Sequence, residues 1–493
     1  MLPLFVVIPL GLAFLIPIVS KFKEGLARVL ALAGGFLLLL FSLASMHWIK
    51  AGVKTYAVGG WKPPFGICME LDGLSVLILL VINIIGFLAL VYSAEYVKKR
   101  YTSPGLYYTL FCLLLAGLNG VAISGDLFNM FVFLEITSIA SYALVAFGTD
   151  AEELEASFKY MVLGSIASAL ILLAIGVLLA KVSTLNMADI ARLLMYHKSD
   201  SSILYCVALF TMGFALKAGL VPFHTWLPDA HPAAPAPVSA MLSGVVIKTL
   251  GIYLLARVVF NITGFNQSIS FIFVWLGIVS MVVGVLLAIG QWDFKRLLAY
   301  HSISQIGYIV FGIGLGTPLG IIGGLFHLFN HSLFKSLLFL NAGAVEYATG
   351  TRRLEKLGGL SKEMPVTSVT SLVASLSIAG IPPLCGFWSK LIIIIAAFQA
   401  QHFTGAIVCL AVSMVTLASF LKVQKYAFVR KTQNPASGIK EVPLSMRISM
   451  VLLAFLCVAV GLFYPVVINM VIKPAADVLL AGREYINWVL GVK

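Results

Sequence analysis

The sequence predicts an all-α polytopic membrane protein with about fourteen membrane-crossing helices, and three observations carry that prediction. The first is composition: of 493 residues, 60% are hydrophobic and only 11% are charged, and the mean hydropathy of +1.03 is far above that of an ordinary soluble domain. The second is a succession of apolar stretches of about 18 residues or more, long enough to cross a hydrocarbon core of about 30 Å. The third is the placement of Lys and Arg, which gather in alternate connections as the positive-inside bias requires.

The expected spans run in order at 3–19, 27–48, 74–92, 106–124, 126–147 and 158–180. The seventh runs from 203 to 221 and continues as a broken half to 229, followed by 238–260, 269–290, 298–316 and 318–346. The twelfth, 366–400, is broken at Pro382-Pro383, and 404–429 and 446–472 complete the set. The first stretch has no basic leader and no small-residue cleavage site, so it reads as a retained span. The stretch 474–493, with Arg483, Glu484 and Trp488, is too mixed to cross and reads as an interfacial helix.

A net charge of +13 could suggest nucleic acid, but its distribution argues for topology instead. Lys98-Lys99-Arg100, Lys295-Arg296, Arg352-Arg353 and the Lys425 to Arg447 segment fall on one side, with roughly nineteen basic residues against about ten on the other. That side is expected in the cytoplasm of a cell membrane, with both termini outside. The six cysteines, Cys68, Cys112, Cys206, Cys385, Cys409 and Cys457, are dispersed and form no CxxC pair. Iron–sulfur and zinc spacings, a Walker loop and a dinucleotide fingerprint are absent from the sequence. No cofactor, metal, redox or ATP chemistry is therefore expected in this chain; if redox chemistry or ATP drives the protein, another chain must supply it.

Two apolar segments are interrupted, and each carries a lysine: FALKAGLVPFHTWLPDA around Lys217 and GIPPLCGFWSKLIIII around Lys390. A proline-broken span is tolerated only where it packs in protein or lines a wet cavity, and a mid-membrane lysine costs at least about 2.5 kcal/mol, so function is its default explanation. Paired broken helices in corresponding positions signal inverted repeats. The breaks fall five spans apart, which divides the chain into 1–105, a five-helix unit at 106–260, a second at 261–430, and 431–493. Lys217 precedes its Pro222, whereas Lys390 follows Pro382-Pro383, so the two lysines need not superpose.

Glu135 sits mid-span in FVFLEITSIASY and needs a partner in space, for which Lys217 is the natural candidate. Lys248 lies deep in VSAMLSGVVIKTLGIYLLA, where snorkelling to an interface is strained. His327, His331 and Lys335 recur every four residues and so stack along one helical face, a row that resembles a proton ladder because histidine exchanges protons near pH about 6.5. A zinc site on the two histidines is the rival, but no third ligand or general-base glutamate is evident nearby. His301, Ser304, Gln305 and Tyr308 share one face of the tenth span and could position waters. His224 and His231 flank HTWLPDAHPAAPAP, where a loop or cap role competes with a relay.

The runs ALKAGLVPFHTWLPDAHPAAPAPVSAMLSG, FKRLLAYHSISQIGY, FHLFNHSLFKSLLFL and GIPPLCGFWSK jointly resemble the antiporter-like subunits of respiratory complex I, Mrp-type cation/proton antiporters and energy-converting membrane-bound hydrogenases. The resemblance implies a fourteen-helix fold with two inverted five-helix units, broken helices seven and twelve, and a mid-membrane polar axis. It implies an essential glutamate at Glu135, a broken-helix lysine at Lys217, a relay at Lys248, His327, His331 and Lys335, and a terminal lysine at Lys390. Lysine at 390, with no long lateral helix after the last span, makes the chain similar to the D-type Mrp subunit and its relatives in hydrogenase-type and sulfur-reducing complexes.

The expected function is proton translocation within a multisubunit membrane complex. Two charges about 8 Å apart interact by roughly 2 kcal/mol at an effective dielectric near 20, enough for a proton on the His–Lys row to bias the Glu135–Lys217 site. A Na⁺ site wants several oxygens and negative charge, yet the axis holds one evident carboxylate and at least four lysines, so a proton path is expected here, and if the complex also moves Na⁺ that path is expected in a partner or at a subunit interface. Two other classes compete: a structural membrane subunit whose buried ions only fix helix packing, and a stand-alone organic-anion transporter built on half-helix N-termini.

Overall fold

The computed structural model describes residues 1–196, 201–430 and 439–491. Parts of two basic connections used for the topology expectation, 197–200 and 431–438, lie outside the described residues.

With no water in a bilayer to satisfy backbone groups, apolar runs of this length become helices. Eleven helices among the described residues are long and apolar enough to cross a membrane, or twelve with the bent pair Tyr464–Leu480 and Glu484–Leu490. Three shorter apolar helices, Leu4–Ser20, Pro365–Ala379 and Cys385–Gln399, complete two of the expected spans. The helix Pro318–Thr349 is 32 residues long, and its His327, Asn330, His331 and Lys335 dilute its apolar character.

The helices form two shells. The apolar windows of Ala236–Thr263 and Phe294–Gly314 are 100% and 94% buried, whereas those of Gly25–Trp48 and Phe403–Val429 are 33% and 39% buried. Outer helices present exposed Phe14, Phe158, Phe271, Met414 and Phe455, a surface that suits lipid. The inner helices are thereby sealed from the hydrocarbon and can carry polar side chains.

Two regions add to or depart from the expected spans. The 49–73 segment, between the second and third expected spans, contains a hairpin, β1 (Lys54–Ala57) antiparallel to β2 (Cys68–Leu71), with Lys54 opposite Leu71. Strands of four residues are too short to show a two-residue period above background. The expected boundary at 472–474 falls inside the helix Tyr464–Leu480, and the expected last span 446–472 is divided, because Leu444–Leu462 ends just before Pro465. The chain then bends by 99° into Glu484–Leu490, at Gly482 with φ +53°, a left-handed conformation that glycine adopts without a Cβ penalty.

Both expected breaks are present. The seventh span is Ser201–Ala218 followed by Leu227–Ala233, and its turn is made at Gly219, φ +71°. The freed backbone finds partners: Trp226 Nε1 donates to Leu216 O at 3.0 Å, and Val221 N donates to Ser280 Oγ at 3.1 Å. In the twelfth span the turn is made at Gly380, φ +83°. The eighth span is wound partly as π-helix at Leu242–Val246, Lys248–Tyr253 and Arg257–Thr263, a widening often found at functional sites.

Gly251 lets the eighth span meet the end of the first half of span seven. A Cβ there would lie 2.5 Å from Ala218 Cβ and 2.6 Å from its Cα. Gly251→Ala is therefore expected to destabilise the purified protein by about 1 to 3 kcal/mol, read as a lowered thermal unfolding midpoint in detergent.

Candidate functional site

The helix Pro318–Thr349 places His327, His331 and Lys335 on one face, and all three are fully buried. His327 is held at both ring nitrogens, Nδ1 by Ser389 Oγ at 2.9 Å and Nε2 by Gln305 Oε1 at 3.2 Å. His331 lies 6.3 Å ring to ring from His327, and neither of its nitrogens has a hydrogen-bond partner among the described residues. Lys335 Nζ donates to the Leu298 carbonyl and lies 5.7 Å from the Phe339 ring centroid. Lys248 donates to the carbonyl of Ser243, in the π-helical turn Leu242–Val246.

Lys390 is placed by the second break. Its Nζ donates to Ile378 O at 2.8 Å, Ala379 O at 3.5 Å and Ser413 Oγ at 3.1 Å. The ammonium thus sits at the C-terminal end of Pro365–Ala379, where unpaired carbonyls and the helix dipole favour a cation. The Tyr308 ring lies beneath it at 4.9 Å.

The expected Glu135–Lys217 pair is not a direct contact. Lys217 Nζ donates to Ser138 Oγ at 2.9 Å, Glu135 Oε1 accepts from Ser168 Oγ, and no ion pair within 4.0 Å joins the two among the described residues. Each of the two is held by a serine instead. Glu135 is also partly exposed.

The tenth-span residues divide in two. Gln305 holds His327, and His301 Nε2 bonds Ser419 Oγ at 2.8 Å. Ser304 Oγ instead donates to Met281 O at 3.0 Å, and the Tyr308 hydroxyl donates to Cys409 O, so both hydroxyls are committed to helix packing. His224 is half-buried in the first break, with Nδ1 unpartnered among the described residues.

Sequence reasoning leaves His231 undecided, and the structure makes it prominent. It is fully buried, both nitrogens lack partners among the described residues, and its ring lies 5.9 Å from Trp226 and 5.8 Å from Phe339. Above it opens a cavity of about 990 Å³ lined by Glu152, Asp229, Lys295, Glu346 and Arg352 among others. Lys295, 2% exposed, pairs with Glu346 at 3.2 Å and donates to Ala234 O at 3.1 Å, while Arg100 reaches the same carboxylate at 3.1 Å. A polar basin therefore leads to the Pro232–Ala234 backbone directly beside the histidine.

Buried basic side chains on broken and continuous inner helices, approached through a charged basin, define a membrane subunit built to handle ions. The chain belongs to the NADH:quinone oxidoreductase/Mrp antiporter transmembrane family, whose pattern matches residues 124–416, more than half of the sequence. Residues 57–104 match the N-terminal pattern of complex I chain 5. Among relatives, the D-type subunit of a Na⁺/H⁺ antiporter of Alkalihalophilus pseudofirmus is 36% identical over 434 residues, covering 86% of each chain. The N-type subunit of an NADH-quinone oxidoreductase of Desulforudis audaxviator is 33% identical over 490 residues, covering 96% of this chain and 97% of the relative. Among solved structures, a chain of the Mrp complex from Dietzia sp. DQ12-45-1b superposes with a TM-score of 0.91 at 30% identity. A chain of the membrane-bound sulfane sulfur reductase, an archaeal respiratory membrane complex, superposes with 0.92 at 31%, and both alignments cover 99% of each chain.

Proposed function

We propose that this chain translocates protons along a mid-membrane row of lysines and histidines, as the antiporter-like subunit of a multisubunit Mrp-type or respiratory-type membrane complex. The observation that carries this reading is the burial of Lys248, His327, His331, Lys335 and Lys390, with no ion pair to any of the three lysines among the described residues. A structural pin pairs a buried cation with an anion, because an uncompensated one destabilises by several kcal/mol. Unpaired cations in the inner shell fit groups whose charge comes and goes.

In this reading the basin brings water to His231, and protons pass between Lys248, the His327–His331–Lys335 row and Lys390, while Lys217 and Glu135 respond to them through space. In this reading the basin faces the cytoplasm and both termini lie outside, which the positive-inside bias of the basic connections supports. About fourteen spans, with the units 106–260 and 261–430 as inverted repeats, suit a fixed site between two halves. Na⁺, where the complex moves it, passes through a partner subunit.

The test is proton and Na⁺ uptake by inverted vesicles holding the assembled complex. Lys217→Ala and Glu135→Gln are each expected to lower proton uptake by at least about tenfold, equivalent to about 1.4 kcal/mol, with assembly preserved. Normal uptake in both variants would instead assign this chain a structural role.

A further inference from the structure

Far from the basin lies a second group of buried charges that the relay does not use. Asp72 and Arg100 flank opposite ends of one helix, Gly73–Arg100, of 28 residues, so the two faces are separated by about 42 Å at about 1.5 Å per residue. Asp72 caps this helix, accepting from Ser75 N at 2.8 Å. It also takes a two-pronged contact from Arg257, Nη1 to Oδ2 at 2.6 Å and Nη2 to Oδ1 at 3.0 Å. One guanidinium is thereby matched by one carboxylate.

Glu70, two residues earlier on β2, is a second carboxylate beside the same single positive charge, and it is only 2% exposed. Its Oε2 accepts from the Tyr485 hydroxyl at 2.9 Å, and its Oε1 has no partner among the described residues. Tyr485 belongs to the helix Arg483–Leu490. The space is closed by Gly125, where a Cβ would lie 2.2 Å from Oε1. The cluster therefore carries one more negative charge than positive in a sealed site, and the smallest cation that restores balance is a proton.

We infer that Glu70 is a proton-binding site on this face, separate from the mid-membrane row, and that its occupancy sets how firmly the helix Arg483–Leu490 docks on the hairpin. Burial pushes Glu70 up to about 7; Arg257 and the Tyr485 hydroxyl oppose that rise, and the charge of Asp72 adds to it. Burial also works against the charge on Asp72, yet Arg257 holds it below its usual range. Of the other groups facing the cluster, burial pushes the Cys68 thiol up to about 12 and raises Asp126. Burial and the charge of Glu70 also keep Tyr485 protonated as a donor. The Tyr253 hydroxyl is committed to the Ala122 carbonyl at 3.0 Å. Further out, Asp189 is neutralised by Arg192 at 2.7 Å, and Lys473 and Asp477 are exposed. Glu70 is thus the group that titrates near neutrality.

The sign follows from proton linkage. Docked Glu70 binds its proton more tightly than the value of 4.5 for a carboxylate returned to water, so docking is firmest in acid and weakens as pH rises through about 7. The same site anchors the span that carries Lys248, through Arg257 and through Asn261 Nδ2, which donates to Val478 O at 2.7 Å.

Amide hydrogen exchange on the assembled complex, corrected for the intrinsic pH dependence of exchange, tests this. Protection of residues 484–490 is expected to fall by up to about tenfold per pH unit between pH 4.5 and about 7, and to level off above that. Glu70→Gln, a neutral isostere, should keep protection high and remove the step. A protonated-carboxyl infrared band that vanishes with pH in the wild type and is missing in Glu70→Gln would assign the proton independently. Protection that does not change with pH, or a step that persists in Glu70→Gln, would overturn the inference, and neither result depends on the relay being correct.

Discussion

Lys335→Arg is expected to abolish proton uptake by assembled vesicles, to at least about a hundredfold below wild type, a barrier change of about 2.7 kcal/mol. The substitution keeps a positive charge, a donor for the Leu298 carbonyl and a cation near the Phe339 ring. What it removes is the ability to be neutral, because a guanidinium is not deprotonated in a protein. If Lys335 only held helices together, arginine would serve and uptake would survive. Lys335→Gln is expected to lose uptake as well, since it cannot carry the proton. The pair of variants, with assembly checked by blue-native electrophoresis, separates a carrier of protons from a carrier of charge.

The second large effect is on stability. Arg257→Leu is expected to destabilise the protein by about 3 to 5 kcal/mol, because it leaves the 1%-exposed Asp72 ionised and unpaired. Arg257→Leu with Asp72→Asn is expected to recover most of that loss, since removing both charges is far cheaper than stranding one. Thermal unfolding in detergent gives both values, and a double variant no better than the single would show that Arg257 acts through packing alone.

Much of this is legible in the sequence where chemistry repeats with the period of a helix. The His327, His331 and Lys335 row needs only a spacing of four, and Lys217 and Lys390 are marked by prolines in apolar runs. His231 is not legible in the same way, because it sits among prolines, where a turn explains it equally well; only burial with two unpartnered nitrogens distinguishes it. Glu135 and Lys217 are opposite charges and so suggest contact, but Ser138 and Ser168 take the short bonds, and nothing in a one-dimensional pattern ranks serine against carboxylate as a lysine's neighbour. Glu70 is hidden in the sequence because a glutamate in a polar connection looks solvated until a distant tyrosine, Tyr485, covers it.

The three protons of Lys390 match three acceptors: Ile378 O, Ala379 O and Ser413 Oγ. A neutral amine has two protons and one lone pair, so releasing a proton turns one of those contacts from a donation into an acceptance. Backbone carbonyls cannot make that exchange, but a hydroxyl can. Ser413 Oγ, which donates to Ala379 O at 2.9 Å while Lys390 is charged, can rotate its hydrogen toward the lysine once the lysine is neutral, leaving Ala379 O to the amine. The valences close in both states, so the lysine can change charge without the half-helices moving apart.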